Sequence, residues 1–155
     1  MTLLTRRNLI LLATLGSAAM ILGAWGFQYI GGMAPCKLCY WQRYPHMTAV
    51  LIGLAALVVA GRALPLAGML AALTTSAIGL YHAGVEKAWW EGPTDCSSAD
   101  VSALSVDDLM NQIMTAPLVR CDEIPWEMFG VSMAGWNMLA SLGFAAVWAL
   151  AALRR

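Results

Sequence analysis

Four cysteines hold most of the reactive chemistry of this chain. Cys36 and Cys39 are separated by two residues, Cys36-Lys37-Leu38-Cys39, whereas Cys96 and Cys121 lie much farther apart. A two-residue spacing can close a small disulfide and reopen it by thiolate attack. As a pure staple it would close too short a loop to constrain the unfolded chain, so redox chemistry is the better use of that pair. For Cys96 and Cys121, taken alone, a structural staple is the default reading. Two dithiols of different geometry suggest a relay. A structural zinc usually recruits two close ligand pairs; Cys96 and Cys121 are not close and have no nearby histidine, so no metal is expected.

The neighbours of the close pair sharpen its chemistry. Pro35 suits a helix start, where unpaired amides and the helix dipole lower a thiol pKa. Arg43 follows Cys39 by four residues, so a helix running that far puts Cys36, Cys39 and Arg43 on one face. There the cation can stabilise a thiolate or a developing oxyanion; the alternative is a lipid-headgroup anchor. Pro45 biases Tyr44 away from helical geometry, which predicts a break or kink ahead of the next helix. His82 is a titratable side chain well inside an apolar stretch, with Glu86 one turn on. It reads either as a hydrogen-bond donor to a buried cofactor or as an interfacial partner of Glu86. Asn137 is expected to bond a neighbouring helix.

The elements that position these residues follow from composition. With 60% hydrophobic residues, 12% charged residues and a mean hydropathy of +0.67 over 155 residues, the chain is too apolar for one soluble core. It reads as an all-α membrane protein, a bundle of four transmembrane helices over residues 8–30, 44–60, 64–83 and 131–153, each near the ~20 residues that span a bilayer. Residues 31–43 and 84–130 form two loops, and the whole chain is one domain. The first stretch runs too far for the core of a signal peptide and is expected to be retained.

Arg6, Arg7, Arg62, Arg154 and Arg155 fall at the termini and the connection between helices two and three, which the positive-inside rule places in the cytoplasm. All nine acidic residues lie between helices three and four. Both cysteine loops are therefore expected to face outward. The formal net charge of zero hides this polarity, and no nucleic-acid partner is expected.

Trp89, Trp90 and Trp126 flank the second loop as aromatic-belt residues would. Ser105 with Asp108 resembles a capping box, and Val106, Leu109, Met110, Ile113 and Met114 follow at helical spacing. This predicts a short amphipathic helix, either lying on the bilayer and keeping a mobile loop nearby with Cys96 accessible, or forming a small extramembrane core.

Pro35 to Arg43, Tyr81-His82-Ala83-Gly84-Val85-Glu86, Gly92-Pro93 ahead of Cys96, and Cys121 followed by Pro125-Trp126-Glu127-Met128-Phe129-Gly130 together resemble the DsbB family of disulfide bond formation proteins. The match extends over nearly the whole chain, and no required residue is missing. The resemblance implies a bacterial inner-membrane protein thiol:quinone oxidoreductase with both termini cytoplasmic and its cysteine loops periplasmic. Its implied partner is a periplasmic thioredoxin-like thiol oxidase, DsbA-like, and its cofactor ubiquinone or menaquinone from the membrane pool. The implied catalytic residues are Cys36, Cys39, Cys96 and Cys121, with Arg43 and His82 toward the quinone. The partner would attack Cys96, the released Cys121 would attack Cys36, and Cys39 would pass the electrons on. Two alternatives carry similar parts: a quinone-linked enzyme of the vitamin K epoxide reductase type, whose cysteine order differs, and a non-enzymatic scaffold with two disulfides.

Overall fold

The computed structural model describes residues 5–93, 96, 97, 105, 107, 110, 114 and 119–154. Helix α1 spans Arg6–Trp25, capped by Thr5, whose hydroxyl oxygen accepts from the Asn8 N–H at 3.3 Å. It widens into a π-helical turn, Gly26–Ile30. Helices α2 (Lys37–Val58) and α3 (Ala63–Glu86) follow. A two-stranded antiparallel hairpin, β1 (Glu127–Met128) and β2 (Val131–Ser132), then leads directly into helix α4 (Met133–Leu153). Phe129 and Gly130 both take positive φ, 54° and 73°, as a tight two-residue hairpin turn requires.

Three segments, Arg6–Ile30, Ala63–Glu86 and Met133–Leu153, are long and apolar enough to cross a membrane. Helix α2 is as long, at 22 residues, but Lys37, Gln42, Arg43 and His46 make its first turns polar. It also begins at Lys37 rather than near residue 44, and Pro45 lies inside it without ending it. Proline removes one helical donor, and in membrane bundles neighbouring groups make good such losses. Here Thr75 of α3 donates its hydroxyl to the Gln42 carbonyl at 3.0 Å, close to the proline turn.

The helices form a ring in which α3 packs on α2 and α4, and α1 closes the circle against the same two. The inside is lined largely by small residues, including Ala13, Ser17, Ala49, Ala72, Ser141 and Ala145, while Leu15, Leu22, Leu51 and Leu70 point outward and exposed. A water-soluble bundle would show the reverse. Close backbone approach over small residues, with leucine facing hydrocarbon, is how helices associate in lipid. The largest buried ring, Trp148, fits only because Gly68 faces it: a Cβ there would lie 2.6 Å from the indole.

The two ends of the bundle differ. At one, Arg6 donates to the Gly61 carbonyl and Arg62 to the Ala152 carbonyl, both at 2.8 Å. At the other lie the cysteines. Of the expected amphipathic helix, Asp107, Met110 and Met114 are helical and exposed; Val106, Asp108, Leu109 and Ile113 lie outside the described residues.

Candidate functional site: a dithiol between a disulfide and a cavity

Cys36 has extended backbone (φ −75°, ψ 174°) and is itself the N-cap of α2, its sulfur accepting the Cys39 N–H at 3.3 Å. One helical turn then brings Cys39 round to it. The two sulfurs lie 3.1 Å apart as a pair of thiols, with Cys36 buried and Cys39 partly so. The hydrogen bond from Cys36, helped by the Arg43 cation, pulls the Cys39 thiol down to about 7 against the push of burial. The same bond, with burial, raises Cys36. The helix start therefore favours a thiolate at Cys39 rather than uniformly across the pair, because only one sulfur of a bonded dithiol can keep the proton.

Cys96 and Cys121 are joined in a disulfide, Cα to Cα 5.3 Å. Both are buried, 2% and 0% exposed, in one cluster with Cys36, Leu38 and Val85. This differs from the accessible Cys96 expected from the sequence: the disulfide packs against Cys36 and Leu38 at the start of α2. The end of α3 beneath is fixed by Trp90, whose indole N–H donates to the Tyr81 carbonyl at 2.8 Å while its ring stacks on Tyr81.

On the other side, Cys36 and Cys39 line a cavity of about 580 Å³ between α1, α2, α4 and residues 119–126. Its walls are mainly apolar, including Met20, Phe27, Met33 and Trp136, with Arg43, His46, His82, Glu86 and Asn137 among them. Arg43 turns inward rather than toward a headgroup: Nη1 donates to Gln28 Oε1 at 2.6 Å and Nη2 to the Ala24 carbonyl at 3.4 Å, with the guanidinium over the Tyr40 ring. The π-helical turn that carries Gln28 is thereby tied to α2.

His82 reaches the dithiol from α3, its Nε2 3.6 Å from Cys36 Sγ and 3.8 Å from Glu86 Oε1. One nitrogen of the buried imidazole thus faces both the dithiol and Glu86. Its tautomer follows from a chain of amides pinned by backbone carbonyls. Asn137 Nδ2 donates to the Thr75 carbonyl at 3.3 Å and to Gln42 Oε1 at 2.8 Å. Gln42 Nε2 donates to the Leu38 carbonyl at 3.1 Å and meets His82 Nδ1 at 2.8 Å. Nδ1 is therefore the acceptor, and Nε2 carries the proton toward Cys36 and Glu86. Asn137 Oδ1 in turn accepts from His46 Nε2 at 2.9 Å. Asn137 thus bonds across the bundle as expected, to Gln42 and His46 of α2 and Thr75 of α3. Gln42 and His46 were not singled out in the sequence; two polar residues four apart at the start of an apolar helix were the available signal.

Glu86 is held in turn by the Ser132 hydroxyl, and the Ser132 oxygen also caps α4 by accepting the Gly135 N–H at 3.2 Å.

Residues 6–151 match the family model of "Disulfide bond formation protein DsbB". The chain belongs to the DsbB family. Among the relatives of that name, the DsbB of Hahella chejuensis is 30% identical over 98% of this chain and 96% of its own length. Those of Methylococcus capsulatus (30%; 94% and 93%) and Stutzerimonas stutzeri (28%; 100% and 99%) are similar. No solved structure matches. DsbB membership makes this a multi-pass membrane protein of disulfide bond formation, a disulfide-forming oxidoreductase.

Proposed function

We propose that this protein oxidises a periplasmic thioredoxin-like thiol oxidase, DsbA-like, and passes the electrons to a membrane quinone. The observation that carries the reading is the position of Cys36 and Cys39, with the Cys96–Cys121 disulfide on one side and the cavity on the other. All four helices cross the inner membrane in this account, with the arginine end cytoplasmic and the cysteine end periplasmic.

Electrons enter at the outer disulfide. Cys96, buried here, must first be uncovered; a partner thiolate then attacks it, the Cys96–Cys121 bond breaks, and Cys121 leaves as a thiolate. Cys121 attacks Cys36 of the oxidised close pair, which breaks the Cys36–Cys39 bond and frees Cys39 as a thiolate. The partner's second thiol then resolves the mixed disulfide, releasing Cys96 and an oxidised partner, and Cys96 reforms its bond to Cys121 as Cys36 is released. The close pair is left reduced, the arrangement seen here.

The cavity fits a quinone head, a flat apolar ring with two carbonyl acceptors. Arg43 and the His82 Nε2–H are donors on its wall, and Cys39 stands beside them. A bound ubiquinone or menaquinone supplies a two-electron, two-proton acceptor for the dithiol. Arg43 lowers the energy of the Cys39 thiolate and of negative charge developing in the cavity, while the apolar walls keep water out.

The test is an assay of purified protein with reduced partner and a short-chain ubiquinone, read as quinone absorbance. One quinone is consumed per partner disulfide formed, and replacing any of the four cysteines by serine stops turnover. Full activity in Cys36→Ser or Cys39→Ser contradicts the proposal.

A further inference from the structure

A metal was not expected from the cysteine spacing, because no histidine lies near the distant pair. The fold supplies one to the close pair instead. His82, 46 positions from Cys36 and on another helix, brings Nε2 to 3.6 Å from Cys36 Sγ, and the two sulfurs and this nitrogen all lie within 4.8 Å of one another. We infer that the reduced Cys36–Cys39 dithiol and His82 form a site for a soft divalent metal ion of the zinc type, which holds the enzyme in its reduced state.

The donor set is chemically apt. Two thiolates and one imidazole are the three protein ligands of an open zinc site, whose fourth position takes water or another ligand. With Zn–S near 2.3 Å and Zn–N near 2.0 Å, a tetrahedron has edges of roughly 3.8 Å between sulfurs and ~3.5 Å between sulfur and nitrogen. The Cys36 to His82 separation already matches. The sulfurs, at 3.1 Å, need to open by roughly 0.7 Å, and Cys39 Sγ, within 4.8 Å of the imidazole nitrogen, needs to settle at ~3.5 Å from it. The Glu86 carboxylate stands beside the three donors, its oxygen 3.8 Å from the same histidine nitrogen, and lines the same cavity.

His82 must present a lone pair at Nε2 to bind, so its proton moves to Nδ1. Gln42 Nε2, the present donor to Nδ1, then faces an N–H and has to turn away or flip its amide. Binding is written Zn²⁺ plus two thiols and a neutral imidazole giving the dithiolate complex and two released protons; no electrons move. The oxidised pair has no thiolates and cannot bind. A metal ion therefore selects the reduced enzyme, ties up the nucleophilic sulfurs and blocks their oxidation. The site rests on the thiols and His82 alone, so it survives failure of the quinone reading, and that reading survives failure of the site.

The experiment uses the full chain in detergent, reduced and freed of reductant without air, and titrated with Zn²⁺ against a chromophoric chelator. A parallel titration with Co²⁺ reads sulfur-to-metal charge transfer. One equivalent is expected at the reduced dithiol and none when Cys36 and Cys39 are disulfide-bonded. His82→Ala should weaken binding at least tenfold, and His82→Cys, which restores a ligand, should recover it. Both variants are checked for helix content by circular dichroism. Saturating Zn²⁺ should stop oxidation of the dithiol, and excess chelator should restore it. Equal affinity in wild type and His82→Ala, or binding lost in Cys96→Ser but kept in Cys39→Ser, overturns the inference.

Discussion

Gln42 Nε2 stands 2.8 Å from His82 Nδ1, and this contact decides which nitrogen of the histidine carries the proton that faces Cys36. The amide cannot reverse freely, because Asn137 donates to its oxygen and its nitrogen also donates to the Leu38 carbonyl. Gln42→Leu keeps the size of the residue but removes that direction. Its quinone-reduction rate should fall by about tenfold, near the ~1.4 kcal/mol of one hydrogen bond to a reacting group, while partner attack at Cys96 is unchanged. Single-turnover kinetics of each half-reaction check both statements.

Arg43→Ala should raise the apparent KM for quinone by about tenfold or more through loss of a charge-assisted donor. Arg43→Lys should recover only part, since an ammonium cannot keep both the Gln28 and Ala24 bonds of the guanidinium fork. Steady-state quinone titration measures this, with mixed-disulfide trapping at Cys96 as the control.

Cys39, lowered to about 7 by the Cys36 hydrogen bond first and Arg43 after it, fixes the pH dependence of the reduced pair. The thiolate is the reactive form, so alkylation of Cys39 should rise with pH through about 7 and then level off. Cys36, raised by the same bond, should stay slow across that range. Mass-resolved alkylation between pH 5.5 and 9, on the order of two units either side of neutrality, reads both sulfurs at once.

Ser132 serves two elements, capping α4 and holding Glu86 at the end of α3. Ser132→Ala should cost about 1–2 kcal/mol, the worth of a cap plus a half-satisfied buried carboxylate. Thermal unfolding in detergent should show the loss, and Ser132→Thr should largely avoid it.

Much of this architecture was legible in the sequence. The apolar runs located the helices, three of which are long and apolar enough to cross a membrane, because a bilayer demands length and apolarity from each segment by itself. Arg6 and Arg62 lie at the end of the bundle opposite the cysteines, as their places between the apolar runs indicated. Where the fold departed, nonlocal packing was responsible. Helix α2 starts earlier than its apolar run because Lys37, Gln42 and Arg43 are helical yet polar, and it passes through Pro45 with α3 alongside. The burial of Cys96 depends on its packing against Cys36, Leu38 and Val85, which spacing along the chain does not encode. The Gln42–Asn137–His46 chain joins residues up to 95 positions apart, so each looked like an isolated polar residue.

The central claim is that electrons cross from the outer disulfide to the close pair through a bond between Cys121 and Cys36. Rapid mixing of oxidised enzyme with reduced partner, acid quench and mass mapping of the disulfides tests it most directly. The account predicts a transient Cys36–Cys121 link in molecules that carry the partner on Cys96, decaying as Cys96 is released and returns to Cys121, with the freed Cys36–Cys39 dithiol then reoxidised by added quinone. Quinone consumption while the Cys36–Cys39 bond stays intact and no Cys36–Cys121 link forms would contradict it.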